Sequence, residues 1–153
     1  VRRAAVHRSV AAELEGHGWE CEVRDLIGEG FLSVQVLRRE ERELAEHLAK
    51  RIAVDPASHD PDWRHHLPEA EAMALMVNRG ELMAQRILLE EKAARTVATE
   101  LALDMTGFVG VLGRAGDDGV LSADEIRRLL NVCREQGTHY GEALIEKAAS
   151  HGR

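Results

Sequence analysis

The sequence predicts an α/β sandwich built on a small, mostly parallel sheet. Three observations predict it. Short apolar or alternating runs alternate along the chain with helical patterns, the signature of strand–helix units. Aromatic residues are only 3% of 153, so the core must come from Leu, Val, Ile, Ala and Met, which favours helices packed on a small sheet over an aromatic-rich β fold. The run Ile87-Leu88-Leu89 is short, continuous and flanked by helical patterns, which suits a parallel strand buried on both faces.

In order, Val6, Val10 and Leu14 recur at i, i+4, i+8 and predict a helix over Val6 to Glu15, ended by Gly16 and Gly18. Glu13 borders that apolar face. Trp19 to Arg24 reads as extended. Phe31 to Val36 alternates like a half-buried strand. Arg38 to Ala53 is a charged helix, with Leu44, Leu48 and Ile52 inward and its Glu and Arg residues on a solvated face. Val54 to His66 is a loop. Leu67-Pro68 starts a helix whose inner side is Leu67, Ala70, Met73, Ala74 and Val77, ending at Asn78-Arg79-Gly80. The strand Ile87–Leu89 follows, then a helix marked by Ala93, Ala94, Val97, Ala98 and Leu101. Thr106 to Leu112 begins another, and two helices close the chain. The length fits one domain over residues 1–153, with helices in 122–150 packing on it.

Net charge is −7, which gives no global electrostatic footprint for nucleic acid but leaves room for metal-assisted binding. Cys21 and Cys133 have no ligand spacing and read as reduced thiols of a cytoplasmic protein. No apolar run is long enough to span a membrane, and no leader pattern opens the chain.

Acidic residues at element ends carry the chemistry. Ligands of open α/β sheets bind beyond the carboxyl ends of strands, where Glu90 and Glu91 stand. Glu69 and Glu71 lie on opposite borders of their helix's apolar face, so helix geometry does not choose between them. With Glu13, these acids supply the hard oxygen ligands that Mg²⁺ or Mn²⁺ takes, and such a centre activates water for phosphodiester cleavage. On spacing alone these acids read as ordinary surface glutamates. Arg86, Lys92 and Arg95 lie near the acidic end and could meet phosphates. His59, Asp60, Asp62, His65 and His66 lack zinc-ligand spacing and read as a polar loop. Asp118 to Glu125 mimics half of a calcium loop, but Arg114 would occupy its first ligand position. Ser122 and Glu125 read instead as a capping box.

Certain motifs go further. Glu69-Ala70-Glu71-Ala72, Leu88-Leu89-Glu90-Glu91, Ala94-Arg95 and Thr106-Gly107 to Gly110-Val111-Leu112 resemble the C-terminal half of a PIN-like domain. More narrowly, they resemble uncharacterised bacterial PIN-like proteins related to VapC-type toxins. The match is specific over Leu67 to Leu112 and weaker at Ser9 to Leu14, whose acid is Glu13. The resemblance implies a three-layer α/β/α fold and a Mg²⁺- or Mn²⁺-dependent endoribonuclease. It assigns Glu13, Glu71 and Glu91 to catalysis and metal binding, with Glu69 and Glu90 as further ligands. It also implies RNA as target and, for toxin members, an antitoxin protein as partner. The family's first acid is an Asp ending a first central strand, but no Asp precedes Asp25 and no such strand is expected before Val6. Glu90-Glu91 replaces an Asp-Asp pair, and Pro68 a glycine. The expectation is therefore of an N-terminally truncated domain, with an inactive binding or scaffolding module as the alternative. A sheet edge exposed in this way would favour homodimers.

Overall fold

A computed structural model describes residues 4–152. It is mixed α/β, with helix far outweighing strand at 62% against 8%, and its sheets are small and parallel, as expected. The chain forms two compact units, one running through Ile87 with Glu91–Met105 added, the other Leu88–Glu90 with Thr106 onward. No helix among the described residues is long and apolar enough to cross a membrane.

In the first unit, strand β1 (Ala4–His7) precedes helix α1 (Arg8–Gly16). This corrects the expected helix start at Val6, and a strand does stand before α1. Its last residue is His7, not an Asp. His7 caps the helix, its Nδ1 accepting from the Ser9 N–H at 3.2 Å. Helix α2 (Glu20–Gly28) replaces the extended segment expected at Trp19 to Arg24. Val23, Leu26 and Ile27 have i, i+3, i+4 spacing, and Glu20 and Glu22 favour a helix N-terminus. Strand β2 (Leu32–Gln35) lies within the expected Phe31–Val36 run and pairs parallel with β1, Val6 opposite Val34 and His7 opposite Gln35. Helices α1 and α2 form the crossover that a parallel pair requires.

Helix α3 (Arg39–Val54) and helix α4 (Leu67–Asn78) pack together through Ala45, Leu48, Ala49 and Ile52 against Ala70, Met73 and Ala74. Alanines at this seam let the backbones approach closely. The α3 face is not wholly solvated: Glu41 is fully buried. Both of its oxygens bind Arg79, at 2.6 and 2.7 Å, and Arg79 also donates to the Val36 carbonyl and to Gln35. The guanidinium beside Glu41 holds its carboxyl below the usual range despite burial. On α4, Leu75 is buried and Val77 exposed, the reverse of the expectation for Val77; the latter sits in the last turn, beyond the packing seam. A 3₁₀ turn, Trp63–His66, leads directly into α4. Helix α5 (Lys92–Glu100) buries Ala93, Ala94, Val97 and Ala98 as expected.

Strand β3 (Ile87–Leu88) pairs with β4 (Met105–Thr106). It is not buried on both faces: Ile87 and Leu89 are buried, but Leu88 is 56% exposed. A two-stranded sheet leaves one face of the strand to solvent. In the second unit, helix α6 (Phe108–Asp117) follows β4, so Thr106 is strand and Gly107 the cap. Helices α7 (Ala123–Glu135) and α8 (Glu142–Ala149) complete a separate core of Leu112, Ile126, Leu130 and Ile145. Ser122 and Glu125 form the expected capping box. No aromatic side chain is fully buried among the described residues.

Candidate functional site

The first unit gathers acids from three elements. Glu91 is the cap residue of α5, set there by the turn out of β3. Its Oε2 lies 3.0 Å from His66 Nδ1. His66 ends the 3₁₀ turn and is only 4% exposed. Its Nε2 lies 2.9 Å from the Asp60 carbonyl and 3.3 Å from Ser58 Oγ. A carboxylate and a carbonyl therefore face its two ring nitrogens, an arrangement that favours the doubly protonated ring. Burial alone lowers its pKa, but the Asp60 carbonyl, Glu91 and Glu69 together hold it above the ordinary 6.5.

Glu69 stands in the first turn of α4 and is half-buried. Its Oε2 is buried with no hydrogen-bond partner among the described residues. Burial raises its carboxyl above the usual range. The nearby negative charges of Glu91 and Glu13 add to this, opposed by its own backbone N–H and by His66. Glu13 itself is exposed on α1. Glu13, Glu69 and Glu91 thus share one electrostatic neighbourhood.

Glu71 faces elsewhere. At the other border of α4, it accepts a hydrogen bond from Ser9 Oγ and contacts His7 Nδ1. It ties α4 to the β1–α1 junction. The two borders that helix geometry could not separate have different surroundings: one polar and bonded, the other half-buried and crowded with like charge. Glu90 belongs to the second unit, where its carboxylate accepts from the Phe108 N–H at the start of α6.

Of the expected phosphate-binding cations, Arg86 is forked onto Asp104 at 2.9 and 2.7 Å, and that pairing raises its pKa. Lys92 is exposed in the first turn of α5, and Arg95 is half-buried one turn on. The polar loop closes on itself: His65 lies 2.6 Å from Asp60, which holds the imidazole above its ordinary pKa. Asp62 caps the 3₁₀ turn. No three His, Cys, Asp or Glu side chains among the described residues are arranged to hold a metal ion together.

Two residues beside the acids, His7 and Ser9, are unmarked as site residues in the sequence, and a third, His66, reads there only as part of a polar loop. His66 carried a usable signal. It lies four residues before Ala70, on the inner side of α4. His7 and Ser9 carried none, since α1 was expected to start before them.

The family model for DUF3368, a PIN domain, matches residues 2–151. The chain belongs to the PIN domain family. No curated protein and no solved structure matches it significantly. PIN domains are generally nucleases, typically dependent on a divalent metal. Mg²⁺ keeps several waters and takes only one or two carboxylates, and Glu69 has a buried Oε2 with no hydrogen-bond partner among the described residues.

Proposed function

We propose that this PIN domain is a metal-dependent endoribonuclease that cuts RNA phosphodiesters, with Glu69 and Glu91 as its central acids and Glu13 at the margin. The observation that carries the reading is the unpartnered Oε2 of Glu69, beside two further carboxylates. Unbalanced negative charge is costly in a half-buried place, and a cation is what relieves it. When bound there, Mg²⁺ or Mn²⁺ would supply a water of lowered pKa and charge stabilisation at phosphate. Glu69 and Glu91 would hold that ion. His66 orients the Glu91 carboxylate and keeps a proton at Nδ1. Glu71, bonded to Ser9 and His7, fixes α4 against α1 and takes no part in the chemistry. Lys92 and Arg95 are the candidates for meeting RNA phosphates from α5. A toxin role, with an antitoxin protein covering the acids, is the finer form of this proposal.

The test is cleavage of a labelled RNA with Mn²⁺. Glu69→Gln and Glu91→Gln should each lower the rate by more than the ~10–100-fold typical of residues supporting a metal site. Glu71→Gln should leave more activity than either. The reverse order would return catalysis to Glu71.

One observation favours a second reading, a non-catalytic binding module. Glu71 and Glu91 already have partners, and no three-residue metal shell is assembled among the described residues. That reading expects no cleavage with Mg²⁺ or Mn²⁺, and no change in Mn²⁺ affinity on Glu91→Gln.

A further inference from the structure

Trp63 has no role in the core or among the acids. It is half-buried on the 3₁₀ turn, in a chain whose described core uses no fully buried aromatic side chain. Lys50 Nζ and the Arg64 guanidinium lie over its ring, 5.2 and 5.1 Å from the centroid. Both cations are more than half exposed. Their ion pairs, Lys50 with Glu46 at 2.5 Å and Arg64 with Asp62 at 3.3 Å, are of the exposed kind that exchanges readily. Beside the ring is an open cavity of about 210 Å³, walled by Trp63, Leu37 and Leu67, with Arg42 and Glu46 at its polar side. Ligand sites for drug-sized molecules run from about 300 to 1,000 Å³, so this cavity suits one small planar group.

We infer that Trp63 and this cavity receive a single unpaired nucleobase of the RNA, with Lys50 and Arg64 turning to the phosphates on either side. The inference rests on the ribonuclease reading and adds to it a base-binding subsite at Trp63, apart from the acids. Three features carry it. An aromatic face flanked by mobile cations is the device by which proteins hold unpaired bases without reading their sequence. The cavity's polar side offers an acceptor and a donor, Glu46 and Arg42, which suit a base edge; a phosphate would be repelled by Glu46 and Glu71, which also line it. The same four-residue turn carries Trp63 at one end and His66, the partner of Glu91, at the other. At about 2 Å per residue of 3₁₀ helix, they are separated by roughly 6 Å along the axis, about one or two nucleotide steps. A base held at Trp63 would therefore set a neighbouring phosphate near the acids.

The test separates binding from cleavage. In a Trp19→Phe background, Trp63 is the chain's one tryptophan, and Trp19, 55% exposed, is expendable. A short unstructured oligoribonucleotide, titrated in EDTA, should quench Trp63 fluorescence saturably, and the same sequence annealed to its complement should quench it far less. Trp63→Ala should weaken binding, read by anisotropy of the labelled oligonucleotide, by about 5- to 150-fold, the worth of one stacked base. Trp63→Phe keeps an aromatic face and should stay close to the parent, which guards against a folding defect in the alanine variant. Equal quenching by single strand and duplex, or Trp63→Ala binding as tightly as the parent, would overturn the inference. Cleavage with Mn²⁺ reads the ribonuclease proposal separately. Stacking without cleavage refutes that proposal, and cleavage without stacking refutes only this one.

Discussion

Glu69→Gln should stabilise the protein in the absence of metal while removing its activity. Glu69 carries a buried oxygen without a partner, and Glu91 and Glu13 repel its charge. A buried unsatisfied polar atom costs about 1–3 kcal/mol. Glutamine keeps an oxygen there but removes the charge, and the site is only half-buried, so the lower end, about 1 kcal/mol, is the expected gain. For a chain of this length that is roughly 2–4 °C in Tm. The pH dependence follows from the direction of the shift. Because the folded carboxyl is raised above 4.5, the folded state holds its proton more tightly than the unfolded chain. That stability is fully present below pH 4.5 and is lost as pH rises through the raised value. The variant has no proton to lose, so it should match the parent near pH 4 and surpass it at neutral pH. Added Mn²⁺ should reverse the order, since binding at 100 times Kd adds about 2.7 kcal/mol to the parent alone. Thermal melts from pH 4 to 8, in EDTA and in Mn²⁺, measure all of this. A variant that melts below the parent in EDTA at neutral pH, or a gap that is constant across the range, would refute the reasoning.

Arg79→Met should destabilise by about 3–5 kcal/mol, because it strands the fully buried Glu41 carboxylate; urea melts check this, and Glu41→Leu added to it should recover much of the loss. Since Arg79 depresses the Glu41 carboxyl, the pair's stability is present above pH 4.5 and is lost as pH falls through the lowered value, a slope the double variant should lack. Gly116→Ala should cost about 1–3 kcal/mol, read from the second unit's hydrogen exchange, because a Cβ there would meet the His151–Gly152 backbone at 2.8 Å. His66→Ala should reduce cleavage about 10–100-fold, with recovery of the Mn²⁺ response at high metal concentration, if its task is to hold Glu91.

The helices were legible where periodicity and caps agreed. Pro68 and Gly80 bracket α4, alanines mark α5, and Ser122 with Glu125 starts α7. The N-terminal region was not, for a physical reason. Val6, Val10 and Leu14 share helical spacing, but Val6 belongs to a strand, and strand pairing with Val34 outweighs a three-residue pattern. Val23, Leu26 and Ile27 have helical spacing, but only Val23 is buried, so this face leaves a weak pattern. Glu41 was indistinguishable from its exposed neighbours because its partner, Arg79, lies 38 residues away. Long-range ion pairs leave no local mark. Among the acids, sequence could name five glutamates but not their surroundings. His66 is in register with Ala70, but its hydrogen-bond partners, a carbonyl and a distant carboxylate, follow no spacing rule.

The two borders of α4 give two glutamates of one helix different surroundings. Glu71 has what a structural acid requires: a hydroxyl donor, an imidazole and a place where two elements meet. Its Oε2 has the Ser9 hydroxyl as donor, and removing it would leave Ser9 and His7 with only each other. Glu69, two residues earlier, has the opposite character. It sits where burial and like charge both act against ionisation, its own backbone N–H and His66 offset only part of that, and its Oε2 has no hydrogen-bond partner among the described residues. Such a residue is a net cost to the fold, and the cost is intelligible when a cation or a reacting phosphate is part of the balance. Motif position favours Glu71 as the chemical acid, whereas we propose Glu69 for that part on its unpartnered oxygen. The acid that the fold leaves unsatisfied is the one with free capacity for a ligand.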